Sequence, residues 1–172
     1  EHGLSLHVRH NQKKILIDCG ESDGFLKNAN TLGIDISQIN YGILTHHHYD
    51  HGGGLSVFFE HNAHGKIHLA GKPPGSLYFK GLGGIIKKYI GLDQTLFGKY
   101  PERFQFIEGM VEIVPDFFLF NEIVSTYPRP KGNQKLFAKT DSGYVLDDFS
   151  HELVAVMREK DGITVFTGCA HS

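Results

Sequence analysis

Thr45-His46-His47-His48-Tyr49-Asp50-His51-Gly52-Gly53-Gly54 is the stretch that decides this sequence. It holds His-x-His-x-Asp-His, four metal-ligand side chains within six residues. A short apolar run, Tyr41-Gly42-Ile43-Leu44, precedes it and reads as a buried strand. Three glycines and an amphipathic segment, Leu55 to His61, follow. The ligands are therefore expected on a loop between a strand end and a helix, where α/β sheets carry their chemistry. On an extended strand end, residues i and i+2 point the same way. His46 and His48 then converge on one cation while His47 points away. Asp50 and His51, beyond the turn of the chain, can hold a second cation nearby. Imidazole with carboxylate suits zinc (Zn2+), with iron or manganese as the alternatives.

Working outward, 172 residues suffice for one domain with a real core, and residues 1–172 are read as a single domain. Hydrophobic content of 40% with 21% charged residues is that of an ordinary globular chain. A net charge of -2 carries no basic footprint, so no nucleic-acid partner is expected. No segment has the apolar length of a membrane span and no signal peptide is visible, so no membrane association is expected. Two cysteines, Cys19 and Cys169, make no disulfide framework and point to a reducing, cytoplasmic compartment.

Leu4–Arg9 alternates apolar and polar, and Lys14–Asp18 follows a turn, so the two are expected to pair as a hairpin. Asp18 at its end either orients a ligand histidine or forms a turn. Ser22 is the expected N-cap of a helix with a stripe of Phe25, Leu26, Ala29 and Leu32, closed by Gly33. Lys66–Ala70 reads as a further strand, giving β-β-α-β-α-β. From Gly71 to Tyr100, with a loop at Pro73-Pro74-Gly75, the pattern weakens into glycines among Leu, Ile, Tyr and Phe. That region suits either a mobile, substrate-facing insertion or a poorly ordered connection. Phe104–Ile107, Val111–Val114, Phe117–Phe120 and Ile123-Val124 look like successive strands. Arg129 and Lys131, on a basic loop, either touch an anionic substrate or lie in solvent. After the acidic Asp147–Glu152, strands over 153–158 and 163–167 join at Lys160-Asp161-Gly162. The last delivers Gly168-Cys169-Ala170-His171 to a strand end.

Together, Asp18, His46-x-His48-x-Asp50-His51 and the strand before Gly168 resemble the metallo-β-lactamase fold superfamily. Glu1-His2-Gly3-Leu4-Ser5, Asp148-x-x-x-Glu152 and Thr167-Gly168-Cys169-Ala170-His171 are similar to the branch of dihydropterin-ribofuranosylaminobenzene phosphate synthase-like proteins. The resemblance implies an α/β fold, an αββα sandwich with two metals at one edge. It implies His46, His48 and His171 on the first metal, and Asp50 and His51 on the second. Most members bridge the metals with an Asp where this chain has Cys169. Cys169 is then a ligand, a neighbour of the metal, or a small buried thiol. Members also begin one strand earlier and continue past His171 to a final ligand histidine, so the second half of the sandwich is expected to be incomplete here. Either the remainder has been cut away, the chain being truncated at both ends, or another polypeptide, a homo-oligomer or a swapped dimer supplies it.

The implied activity is metal-dependent hydrolysis, with a hydroxide generated at the metal attacking an ester or phosphodiester and Asp50 holding it. The alternatives are a synthase-like transferase acting on a phosphorylated pterin and an inactive metal-binding fragment that needs a partner half. The expected partner is a small-molecule substrate, phosphorylated in the transferase reading. Tyr78, Phe79 and Tyr89 either stack a flat ring or pack internally.

Overall fold

The computed structural model describes residues 2–71, 75–124 and 126–172. Pro73 and Pro74, read as a loop, and Glu1 of the first motif lie outside them. The strands are β1 (Leu6–His10), β2 (Lys13–Ile17), β3 (Tyr41–Ile43), β4 (Lys66–Ala70), β5 (Ser76–Gly81), β6 (Ile86–Tyr89) and β7 (Phe104–Ile107). They continue with β8 (Met110–Val114), β9 (Phe117–Phe120), β10 (Leu136–Thr140), β11 (Gly143–Leu146), β12 (Val154–Glu159) and β13 (Gly162–Phe166). The α-helices are α1 (Gly24–Thr31), α2 (Tyr49–Gly52), α3 (Leu55–His61) and α4 (Thr95–Lys99).

Alternation along β2 explains the layers. Leu16 faces α1 and α3 in a core with Phe25, Leu44, Leu55, Phe58 and Leu69. Its neighbours Ile15 and Ile17 face the other way, packing with Ile43, Phe117, Leu119, Leu153 and Ala155. The first sheet, ordered β1-β2-β3-β4-β7, is thus covered by helices on one face and by a second sheet, β13-β12-β9-β8, on the other. The β1–β2 hairpin is antiparallel, and β2, β3, β4 and β7 run parallel. Parallel pairing brings the ends of β2 and β3 to the same edge, placing Asp18 beside the loop at Thr45. The outer face of the second sheet carries exposed Met110, Ile163 and Val165, with no helix over it among the described residues. Among the described residues this is an α/β layering of helices, a first sheet and a second sheet.

Several expectations are corrected. The segment from Gly71 to Tyr100 is neither an open insertion nor a loose connection over its described part. It forms β5, β6 and α4, and β5 pairs with β10 to build a third sheet, β11-β10-β5-β6. The pairing partner lies some sixty residues on, which local pattern does not reveal. Ile123-Val124 is not a strand. The N-cap of α1 is Asp23, not Ser22, and Leu32 falls after the helix, 72% exposed. Gly33 follows with a left-handed φ of 67°, the conformation expected of a helix-closing glycine. Among the described residues, no helix is long and apolar enough to cross a membrane.

Candidate metal centre

The stretch 45–51 leaves β3 and enters α2, with His48 in extended conformation as the helix N-cap. Asp18 fixes its start. This fully buried carboxylate accepts hydrogen bonds from the Thr45 main-chain N–H at 2.8 Å and the Thr45 hydroxyl at 2.7 Å. It also accepts the His51 Nδ1–H at 2.6 Å. Asp18 therefore orients a histidine rather than merely turning the chain. Burial raises its pKa against these bonds. His51 loses stability as a cation by burial, but the hydrogen bonds to Asp18 and Cys169 outweigh this and lift it to about 10.

Thr45 sets the next ring. Its hydroxyl proton is spent on Asp18, so its oxygen accepts from His46 Nδ1 at 3.2 Å. That leaves His46 Nε2 as the lone pair. His171 is held the same way from another part of the chain. Its Nδ1 donates to Asn133 Oδ1 at 2.9 Å, while Asn133 Nδ2 donates to the His171 carbonyl at 2.7 Å and thereby fixes the amide's orientation. Glu152 accepts the main-chain N–H groups of His171 and Ser172 at 2.7 and 2.8 Å, and Phe149 stacks on the His171 ring at 4.6 Å.

The result is a cluster of His46, His48 and His171 whose ligand nitrogens lie within 4.8 Å of one another. The Nε2 atoms of all three are buried and have no hydrogen-bond partner. Burial above all, then the neighbouring rings, holds His46 and His48 well below the usual imidazole range, His48 at about 3. Buried neutral imidazoles with converging, unpartnered nitrogens fit a metal ion; they are costly without one. A second group joins His46, His51 and Cys169, with Cys169 Sγ 3.3 Å from His51 Nε2. The neighbouring His171 ring and the His51 bond lower the Cys169 thiol to about 7. Gly168 allows this approach: a Cβ there would overlap the Thr45 hydroxyl.

Asp50 stands at the rim. Its carboxylate is 3.9 Å from His51 Nε2 and 3.9 Å from His2 Nε2, and it belongs to none of the compact groups. His47 points away from the cluster and stacks on His151 at 5.0 Å. His151 forms a third group with His48 and Asp147, which the sequence reading missed. Its bonds argue against a ligand role: Nδ1 accepts the His47 main-chain N–H at 3.2 Å, so Nε2 carries the proton given to Asp147 at 3.0 Å. Burial opposes the Asp147 charge, yet the His151 bond holds its pKa below the ordinary value. The i,i+4 spacing of Asp147 and His151 inside the acidic stretch was the available signal. Asn133 carried none.

Arg129 spends its guanidinium on the Asp147 and Asp148 carbonyls at 3.3 and 2.9 Å, bracing that loop. Tyr78 and Tyr89 pair edge to face at 5.5 Å on the third sheet, and Phe79, next to Tyr78 in sequence, lies on its opposite side.

Comparison with known proteins gives the family and the fold. Over 178 residues the chain is 27% identical to an uncharacterized protein of Methanocaldococcus jannaschii, covering 100% of this chain and 64% of that protein. It is 27% identical, over 99% of its length and 62% of the relative's, to the 7,8-dihydropterin-6-methyl-4-(beta-D-ribofuranosyl)-aminobenzene-5'-phosphate synthase of the same organism. A crystal structure described as a metal-dependent hydrolase of the beta-lactamase superfamily superposes with a TM-score of 0.77 at 30% identity, covering 99% of this chain and 60% of that one. The chain thus spans less than two thirds of the length of these relatives. The sequence model of the metallo-beta-lactamase superfamily matches residues 2–170, nearly every position built into the sheets and loops above, and the chain belongs to that superfamily.

Proposed function

We propose that this protein is a metal-dependent hydrolase acting on an ester or phosphodiester of a small molecule, with zinc as its ion and two ions in the complete centre. The observation that carries this reading is the set of three unpartnered, buried Nε2 atoms of His46, His48 and His171. These three would hold the first ion, and Asp50 and His51 the second. A bound dication polarises the scissile carbonyl or phosphoryl oxygen and acidifies water in its shell. The chain's own residues supply the rest. Asp50, partly exposed at the rim, orients the attacking water and takes its proton. Asp18 keeps the His51 ring turned, and Asn133 and Glu152 do the same for His171. A homo-oligomer or swapped dimer, in which a second copy would add to the second ion's shell, belongs to this proposal. Cys19 and Cys169, neither of them in a disulfide, suit a cytoplasmic location.

The test is elemental analysis of the purified chain together with its oligomeric state, followed by turnover of nitrophenyl ester, phosphodiester and lactam panels. Metal retention with ester or phosphodiester cleavage is expected. A metal-loaded protein inert on all three panels would sink the hydrolase reading. The likeness to the phosphate synthase favours one rival, a transferase acting on a pterin phosphate. Selective binding of pterin phosphates without ester turnover would establish the rival instead.

A further inference from the structure

We propose that Cys169 is a metal ligand through its thiolate, joining His51 on the second ion and making this a sulfur-containing centre that favours thiophilic dications. The inference rests on the metal-centre reading above and adds a ligand that changes the ion's chemistry. Superfamily resemblance implies a carboxylate at this place, and the side chain present is a thiol. Cys169 Sγ lies 3.3 Å from His51 Nε2, the one nitrogen of that ring not committed to Asp18. The same sulfur falls within 4.8 Å of a His46 ligand nitrogen, and His46 Nε2 is buried without a partner. Sulfur therefore lies within reach of His46, assigned to the first ion, and of His51, assigned to the second. The close passage of Gly168 against Thr45 holds it there. Cys19, the other cysteine, is buried and turned to the His51 carbonyl at 3.5 Å, away from the cluster.

Coordination exchanges the S–H bond for a metal–sulfur bond and releases one proton to solvent, with no change of oxidation state. Thiolate ligation selects zinc, cobalt or cadmium over magnesium and manganese, which prefer oxygen.

Cobalt(II) titration of the metal-free chain, in buffer without added thiol, tests this. Wild type and Cys19→Ser should develop an intense near-ultraviolet sulfur-to-cobalt charge-transfer band. Cys169→Ser should lack it while keeping the weaker visible absorption of cobalt on the histidines, and should bind its second zinc roughly 10- to 100-fold more weakly. Cys169→Asp should recover two-ion binding without the band. Cobalt uptake with no band in wild type, or a band that survives in Cys169→Ser, overturns the thiolate ligand and leaves the metal centre standing. No cobalt uptake by any form would overturn the centre itself, and the ligand with it.

Discussion

Two histidine clusters share His48, and they are built on opposite logic. Around His46, His48 and His171, neighbouring groups tie down Nδ1 of two rings and leave every Nε2 without a partner. Around His151, both ring nitrogens are used, one by the His47 main chain and one by Asp147. Spacing and residue type do not distinguish them, since either group gathers its ligand atoms within 4.8 Å. The difference lies in the hydrogen bonds. A buried histidine whose partners consume both nitrogens has none left for an ion, whereas nitrogens left over fit an ion where they converge; His47 Nε2 is also without a partner, but its ring stacks on His151 away from the cluster.

The largest expected effect separates the clusters outright. His46→Ala or His48→Ala should abolish metal retention measured by elemental analysis, whereas His151→Ala should leave the stoichiometry unchanged. Loss of metal in His151→Ala would erase the distinction.

Acid should act next. His46 and His48 stay neutral in the metal-free fold but protonate in the unfolded chain below about pH 6.5. Their contribution is therefore present above that pH and lost as pH falls towards their lowered folded values. His48 alone should account for about 2 kcal/mol by pH 5. His51 works in the opposite direction: its contribution is full below about pH 6.5 and fades as pH rises through about 10. Thermal denaturation in chelator should thus show a maximum near neutrality, and a flat acid limb would contradict the neutral-ring picture.

Smaller effects sharpen the comparison. Glu152→Ala leaves the main-chain N–H groups of His171 and Ser172 without their carboxylate, and should cost about 1.5–3 kcal/mol by denaturant unfolding. It should also weaken metal binding, because His171 loses its anchor. His151→Ala should cost about 1–2 kcal/mol in the same assay with metal affinity little changed. Arg129→Ala, which removes only a partly exposed brace on the Asp147 loop, should cost no more than about 1 kcal/mol. A brace variant that weakened metal binding as much as a ligand variant would make the two clusters one unit.

Much of this was legible in the residues because it is local. The His-x-His spacing on a strand end, the hairpin ending at Asp18, the helix over Leu55–His61 and the strand that delivers Gly168 all rest on short-range periodicity. The third sheet was not legible, because β5 and β10 are weakly patterned alone and gain their order from each other across the chain. Asn133 was invisible for a similar reason, sitting in a polar stretch that meets His171 only after folding.

By itself, then, the sequence determined that His46 and His48 share a direction, that His47 opposes them, and that Asp50 and His51 follow the turn. Tertiary structure decided which nitrogen of each ring is free. The physical reason is that an imidazole's tautomer follows its hydrogen-bond partners, and those partners, Asp18, Asn133 and Asp147, arrive from parts of the chain that only folding brings together.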